Sequence, residues 1–224
     1  ARGIAVTVNT AVTSFVGNFM TALNPQITKS YASQDYSYAI QMVNRGSKFS
    51  FFILFLIALP ILLNTEFILT IWLTKFPDHT VNFVRLILIS ALIEVLSGPL
   101  ITLIAATGKI REYQIAVGVT QLLNFPLSYL CLCLGFQPES TLIIAILISI
   151  GCTLLRLWFL KRQIGVPLQT YFVEVIEKII VVSSMSTIVA HVAYVSLPLH
   201  GPLVVMCNSL LAIIATSGSI YFLG

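Results

Sequence analysis

What most constrains this chain is the recurrence of apolar stretches about twenty residues long, each enough to carry a helix across a bilayer. About seven have the required length, at roughly 3–23, 47–64, 81–105, 113–134, 141–161, 178–196 and 203–223. A soluble core has no need of so many. Ordinary domains are about 45–50% apolar and about 25% charged, whereas these 224 residues are 58% hydrophobic and 9% charged, with a mean hydropathy of +0.98. The pattern predicts an all-α integral membrane protein whose first partner is the lipid bilayer. The net charge of +4 comes from cations in the connections. No basic run resembles a nucleic-acid surface, so no nucleic-acid partner is expected.

The first stretch is unlike the others. At about 100° per residue, Asn9, Thr10, Thr13, Ser14, Gly17, Asn18 and Thr21 fall on one half of the helix. Val8, Val12, Phe15, Val16, Phe19 and Leu23 fall on the other. Polar side chains within a membrane face protein or trapped water rather than lipid. The stripe therefore predicts either the wall of a solvated cavity or a tight helix–helix seam. Ser14 and Gly17 suit a seam, because small residues let backbones approach closely. Asn9 and Asn18 suit both readings equally.

Asn24-Pro25 is expected to end this first helix, since proline disfavours helical geometry in the residue before it. Asp35 is placed to cap a short surface helix with tyrosines at headgroup level. The second span, nearly pure Phe, Leu and Ile over 49–63, has no polar face and is expected to touch lipid. Residues 66–73 read as an amphipathic cap carrying Trp72 at the interface. The third span holds Arg85 and, deeper, Glu94. The fourth carries Gln114, Gly118, Gln121 and Ser128 in a stripe, with Asn124 beside it and Pro126 as a kink. The fifth ends in Arg156, Trp158, Lys161 and Arg162, and Val166-Pro167 opens an in-plane helix over 168–178. The sixth and seventh spans carry scattered Ser and Thr, plus His191, and are joined by a tight turn at 198–202. The chain divides into lobe helices at 1–162 and an in-plane helix with a terminal helix pair at 163–224.

Alternating the spans gathers Lys29, Arg45, Lys48, Lys109, Arg111, Lys161, Arg162 and Lys178 on one side. Arg2 and Lys75 lie on the other, with Arg85 near it. The positive-inside rule makes the first group cytoplasmic, so residue 1 starts outside and residue 224 ends inside. The chain opens at a helix start and stops without a flanking cation, which is the expectation for a piece of a longer protein.

The residues favour no enzyme. There is no phosphate-cradling loop, no Ser–His–acid constellation, no pair of catalytic carboxylates and no HExxH. Cys131, Cys133, Cys152 and Cys207 all sit inside apolar spans and read as small hydrophobes, with no metal or cofactor implied. His79 and His200 fall in outer loops and His191 is alone on an apolar helix, so all three read as structural. Glu94 carries the most information. A charge at mid-span costs about 2.5–3.5 kcal/mol on insertion scales. Two readings stand level: a site for proton or ion coupling, and a hydrogen-bonded structural carboxyl. Arg85 precedes it by nine residues, on the opposite face of a straight helix. It is placed either to hold an anionic group in a cavity or to snorkel outward. Arg156 is expected to snorkel to the inner surface.

ARGIA at 1–5 and FMTALNPQITKSY at 19–31 resemble the bacterial O-antigen and polysaccharide flippases of the multidrug/oligosaccharidyl-lipid/polysaccharide exporter superfamily. RGSKF at 45–49, ATGKI at 106–110 and LRLWFLK at 155–161 extend the likeness to about residue 165; residues 6–8 depart from it. The resemblance implies a two-lobe transporter of the bacterial inner membrane, of which this chain is the C-terminal lobe plus extra helices. Its further partner is then the N-terminal lobe absent from this chain. It also implies an undecaprenyl-diphosphate-linked oligosaccharide as substrate, moved by alternating access, with no fixed catalytic motif. Candidate cavity residues are Asn9, Thr13, Asn18, Arg85, Glu94, Gln114, Gln121 and Asn124. The rival readings are a cation-coupled drug exporter of the same superfamily and a membrane-embedded glycosyl- or acyltransferase. The last needs an acid–His cluster at one interface, and the sequence shows none.

Overall fold

A computed structural model describes residues 1–73, 75–196, 213, 214, 216–218 and 220. Every described element is helical: α1 (Arg2–Ala32), α2 (Tyr36–Leu63), α3 (Thr65–Leu73), α4 (Thr80–Glu94), α5 (Ser97–Ala106), α6 (Arg111–Leu122), α7 (Asn124–Cys133) and α8 (Ser140–Ile164). After α9 (Leu168–Tyr171), a π-helical turn (Phe172–Glu177) runs into α10 (Lys178–Ser196). Among the described residues, five helical stretches are long and apolar enough to cross a membrane: Arg2–Ala32, Tyr36–Leu63, Thr80–Ala106, Arg111–Cys133 and Ser140–Ile164. α10 covers the expected sixth span. The turn at 198–202, His200, Cys207, most of 203–223 and the His191 side chain lie outside the described residues.

The first two helices correct the expected boundaries. α1 runs through Pro25 for a further turn and more. A proline inside a helix costs about 3 kcal/mol, but a membrane helix tolerates one when neighbours re-satisfy the freed groups. Pro25 frees the Thr21 carbonyl, and what carries the helix through it is packing and a tie to α5, Thr102 donating to Asn24 Oδ1 at 2.8 Å. The continuation buries Ile27 completely and Ser30 nearly so. Asp35 does cap a helix, its carboxylate accepting the Tyr38 N–H at 3.0 Å, but that helix is the whole of α2 rather than a short surface piece.

α2 is also not a lipid-facing rod. Phe52, Leu54, Ala58 and Leu59 are buried against the rest of the bundle. A helix apolar on all sides sits either in lipid or in a core, and periodicity does not separate the two. α1 packs on α2, α4 and α5, while α8 packs on α4 through α7. Lipid tails are as apolar as leucine, so close packing rather than escape from water holds such a bundle together. Among the described glycines the closest-packed is Gly46, where an added Cβ would collide with Leu23 of α1 and press the Pro99 ring at 3.3 Å.

Two of the five spans are broken at mid-length, and each break precedes a proline. Pro99 has no N–H for the Val95 carbonyl and its ring crowds that oxygen; Pro126 does the same to Leu122. The helical hydrogen bonding accordingly lapses at Val95-Leu96 and at Leu123, while the backbone there stays right-handed helical and each span runs on. α2 supports the first break, because Ser47 Oγ donates to the Leu96 carbonyl at 3.1 Å.

Candidate functional site

Both breaks open onto one polar cleft of about 530 Å³, walled by Glu94 and Ser97 at the first, Gln121 and Asn124 at the second, and Ser149, Cys152 and Arg156 from α8. Glu94 lies fourteen residues after Thr80 and twelve before Ala106. That leaves roughly 18–21 Å of helix on either side of it. The cleft therefore reaches the middle of the spans, with Arg156 lying beyond mid-length on α8, toward its Ile164 end. A second recess of about 380 Å³ shares Gln121, Asn124 and Ala145 with it and continues past Ser128 to Arg2 and Thr141. The polar surface thus extends from mid-span toward the end of the bundle that carries Arg2.

Arg156 is the structural centre of the cleft. It is 7% exposed rather than snorkelled to an interface, correcting the sequence expectation. The reason is that ready partners surround it. Its Nε donates to Tyr113 Oη at 3.2 Å and its Nη1 to Ser97 Oγ at 2.9 Å. Ser97 and Thr153 hydroxyls are 2.9 Å apart, and Thr153 donates to the Ser149 carbonyl at 2.9 Å. Each hydroxyl has one proton, so the chain has one direction: Arg156 to Ser97, Ser97 to Thr153, Thr153 to the backbone. A guanidinium has five N–H groups, so the two used here leave others for the cleft. Glu94 and Arg156 feel each other's charge without forming an ion pair. The arrangement offers a fixed cation, a carboxylate and two side-chain amides to a solute in the middle of the bundle.

Of the sequence candidates, Glu94, Gln121 and Asn124 meet here. The others do not. Asn9 and Thr13 are half-buried on α1, where Thr13 Oγ1 donates to the Asn9 carbonyl at 2.8 Å and Asn9 Oδ1 is buried with no partner. Asn18, Arg85 and Gln114 are exposed, and none lines the cleft. Sequence reasoning missed Arg156, Ser97 and Ser149. Their signal was present: Ser149, Cys152, Thr153 and Arg156 fall at i, i+3, i+4 and i+7, a single polar face on α8.

Outside the spans the fold makes an acid–His pair that the sequence reading did not find. His79 Nδ1 lies 2.6 Å from Glu139 Oε1, and Asn82 Nδ2 donates to the same oxygen at 3.2 Å. Burial pushes the Glu139 carboxyl up, but hydrogen bonds from its own backbone, Asn82 and His79 outweigh that and hold it below the usual carboxylate range. The pair ties the start of α4 to the start of α8. At the other end of the bundle, burial pushes the Tyr171 phenol up to about 12; Ser47 lies close enough to oppose that slightly, yet its hydroxyl is committed to Leu96.

What the fold defines is a class: an all-α protein that has, among the described residues, five helices able to cross a membrane, three of which line a cleft carrying Glu94 and Arg156. No protein-family model, curated protein or solved structure matches the chain.

Proposed function

We propose that the chain is the C-terminal lobe of a flippase for a lipid-linked oligosaccharide, with the cleft forming part of the path of the anionic, sugar-bearing headgroup. The observation that carries this reading is Arg156 buried within the α8 span, oriented by Tyr113 and Ser97 and accompanied by Gln121 and Asn124. A planar, permanently charged guanidinium suits a diphosphate, and amides suit sugar hydroxyls. The resemblance in residues 1–165 points the same way. Transport then occurs in a bacterial inner membrane, with the cation-rich ends of the spans inside.

The test is export in cells that depend on the full-length protein. Arg156→Gln should lower export roughly tenfold to a hundredfold, the worth of about 1.5–3 kcal/mol for hydrogen bonds to a charged group. Protein should remain in the membrane and lipid-linked oligosaccharide should accumulate inside. Unchanged export removes Arg156 from the path. Glu94 within the cleft favours one second reading, the cation-coupled exporter. In that case Glu94→Gln abolishes transport driven by an ion gradient, and lipid-linked sugar never accumulates.

A further inference from the structure

A separate pocket of about 200 Å³ lies between α2 and the π-helical turn, lined by Gln41, Asn44, Arg45, Lys48, Glu174 and Lys178. The four α2 residues fall at i, i+3, i+4 and i+7, one continuous face of that helix. Glu174 and Lys178 are four apart across the π-helical turn and the start of α10. A π-turn widens the helix and is a frequent mark of functional sites. It brings Glu174 to Asn44, whose Nδ2 donates to Glu174 Oε2 at 2.8 Å. Asn44 itself is 4% exposed, and its Oδ1 is buried with no hydrogen-bond partner. Three cations thus surround one carboxylate, beside a buried amide with an unmet acceptor.

The depth of this cluster identifies what it meets. Lys48 is the last charged residue of α2, before the run beginning Phe49-Ser50-Phe51-Phe52, and Lys178 is followed by Ile179, Ile180, Val181 and Val182. On both helices the pocket sits where polar sequence gives way to hydrocarbon-compatible sequence, which is headgroup level. Basic pockets between membrane helices at that level hold anionic phospholipid headgroups. We propose that this pocket binds the phosphate of an anionic phospholipid with a hydroxyl-bearing headgroup, of the phosphatidylglycerol type. The phosphate lies among Arg45, Lys48 and Lys178, and a headgroup hydroxyl supplies the donor that Asn44 Oδ1 lacks. This site is distinct from the mid-span cleft and does not depend on the transport reading.

The experiment is native mass spectrometry of the full chain, stripped of lipid in detergent and titrated with phosphatidylglycerol, phosphatidylcholine or inorganic phosphate. Phosphatidylglycerol should bind in preference to phosphatidylcholine. Arg45→Gln and Lys178→Gln should each weaken it roughly fivefold, the worth of one cation near a membrane surface. Glu174→Gln should tighten it, and Lys161→Gln, a cation elsewhere on the same side, should leave it unchanged. Arg45 is exposed, so its variant folds and decides the matter even if Lys178→Gln does not. The proposal is overturned if Arg45→Gln binds as the parent does or if phosphatidylcholine binds equally. It is also overturned if inorganic phosphate displaces the lipid at matching concentration, which would mark a free-anion site instead.

Discussion

Two regions place polar side chains in the middle of membrane-length helices, and the bundle treats them in opposite ways. In the cleft, Glu94, Ser97, Gln121, Asn124 and Arg156 arrive from three spans and face one another. On α1, Thr10, Ser14, Asn18 and Thr21 form an unbroken stripe that nothing in the described residues covers, while Val12 and Val16 face the core. The hydroxyls of that stripe mostly turn back on their own helix: Thr10 to Val6, Ser14 to Ala11 and Thr21 to Gly17. One region is an interior site made by broken helices. The other is a straight surface whose partner, in the transporter proposed here, is the opposite lobe across the path.

The sharpest way to break this contrast is to remove a polar group from each region and measure unfolding in detergent. Arg156→Met should cost about 3 kcal/mol, because its buried hydrogen bonds to Ser97 and Tyr113 are charge-assisted. Asn18→Ala on the stripe should stay within about 0.5 kcal/mol. Equal losses would mean the stripe is as structural as the cleft. Next in size is the junction of the two regions, Gly46, which touches Leu23 of α1 and Pro99 of α5. Gly46→Ala should destabilise by about 1–3 kcal/mol through overpacking, read as a lowered Tm.

Thiol labelling sharpens the comparison further. In full-length protein freed of its native cysteines, cysteine at Gln121 or Asn124 should react with water-soluble reagents. Asn9, Thr13 and Asn18 positions should react as well if the stripe borders the path, while Phe15 and Phe19 positions should not. Labelling of both α1 faces alike would defeat the reading of the stripe as a wall.

A smaller effect is expected at Glu139. Its folded carboxyl lies below its ordinary value of about 4.3. The stability it adds is present above that ordinary value and is lost as pH falls through the folded one. Glu139→Gln should therefore lower stability modestly near neutrality and flatten the acid limb of the profile, the two proteins converging as pH falls. Smallest of all is Arg162→Ala, which breaks an exposed 3.3 Å contact with Glu112 and should shift stability by less than about 0.5 kcal/mol.

How far the sequence shows this architecture depends on which residue carries the information. Length and apolarity suggested about seven spans, of which five are membrane-length helices among the described residues, and Pro126, expected to kink the fourth, lies where α6 gives way to α7. Pro25 did not end its helix, because the Asn24–Thr102 bond and the burial of Ile27 lie outside any local window. α2 and the α6–α7 span show the same difficulty at larger scale. Both are apolar stretches, yet half of the α2 window is buried against 6% of the α6–α7 window. Composition reports that a helix avoids water, and it leaves open whether protein or lipid takes water's place. Arg156 was misplaced for a related reason. Its distance from the span end suggested an interface, while the tyrosine and serine partners that hold it inside come from α6 and α5.

The pair at Glu139 has a mechanical counterpart at the opposite end of α8. There Gln163 accepts from Thr107, just past α5, and donates to the Lys109 carbonyl. The α4–α5 span is thus lashed to the uninterrupted rod of α8 at both tips, and Ser97 ties it to Arg156 and Thr153 at its centre as well, so the jointed span rides on α8 along its whole length.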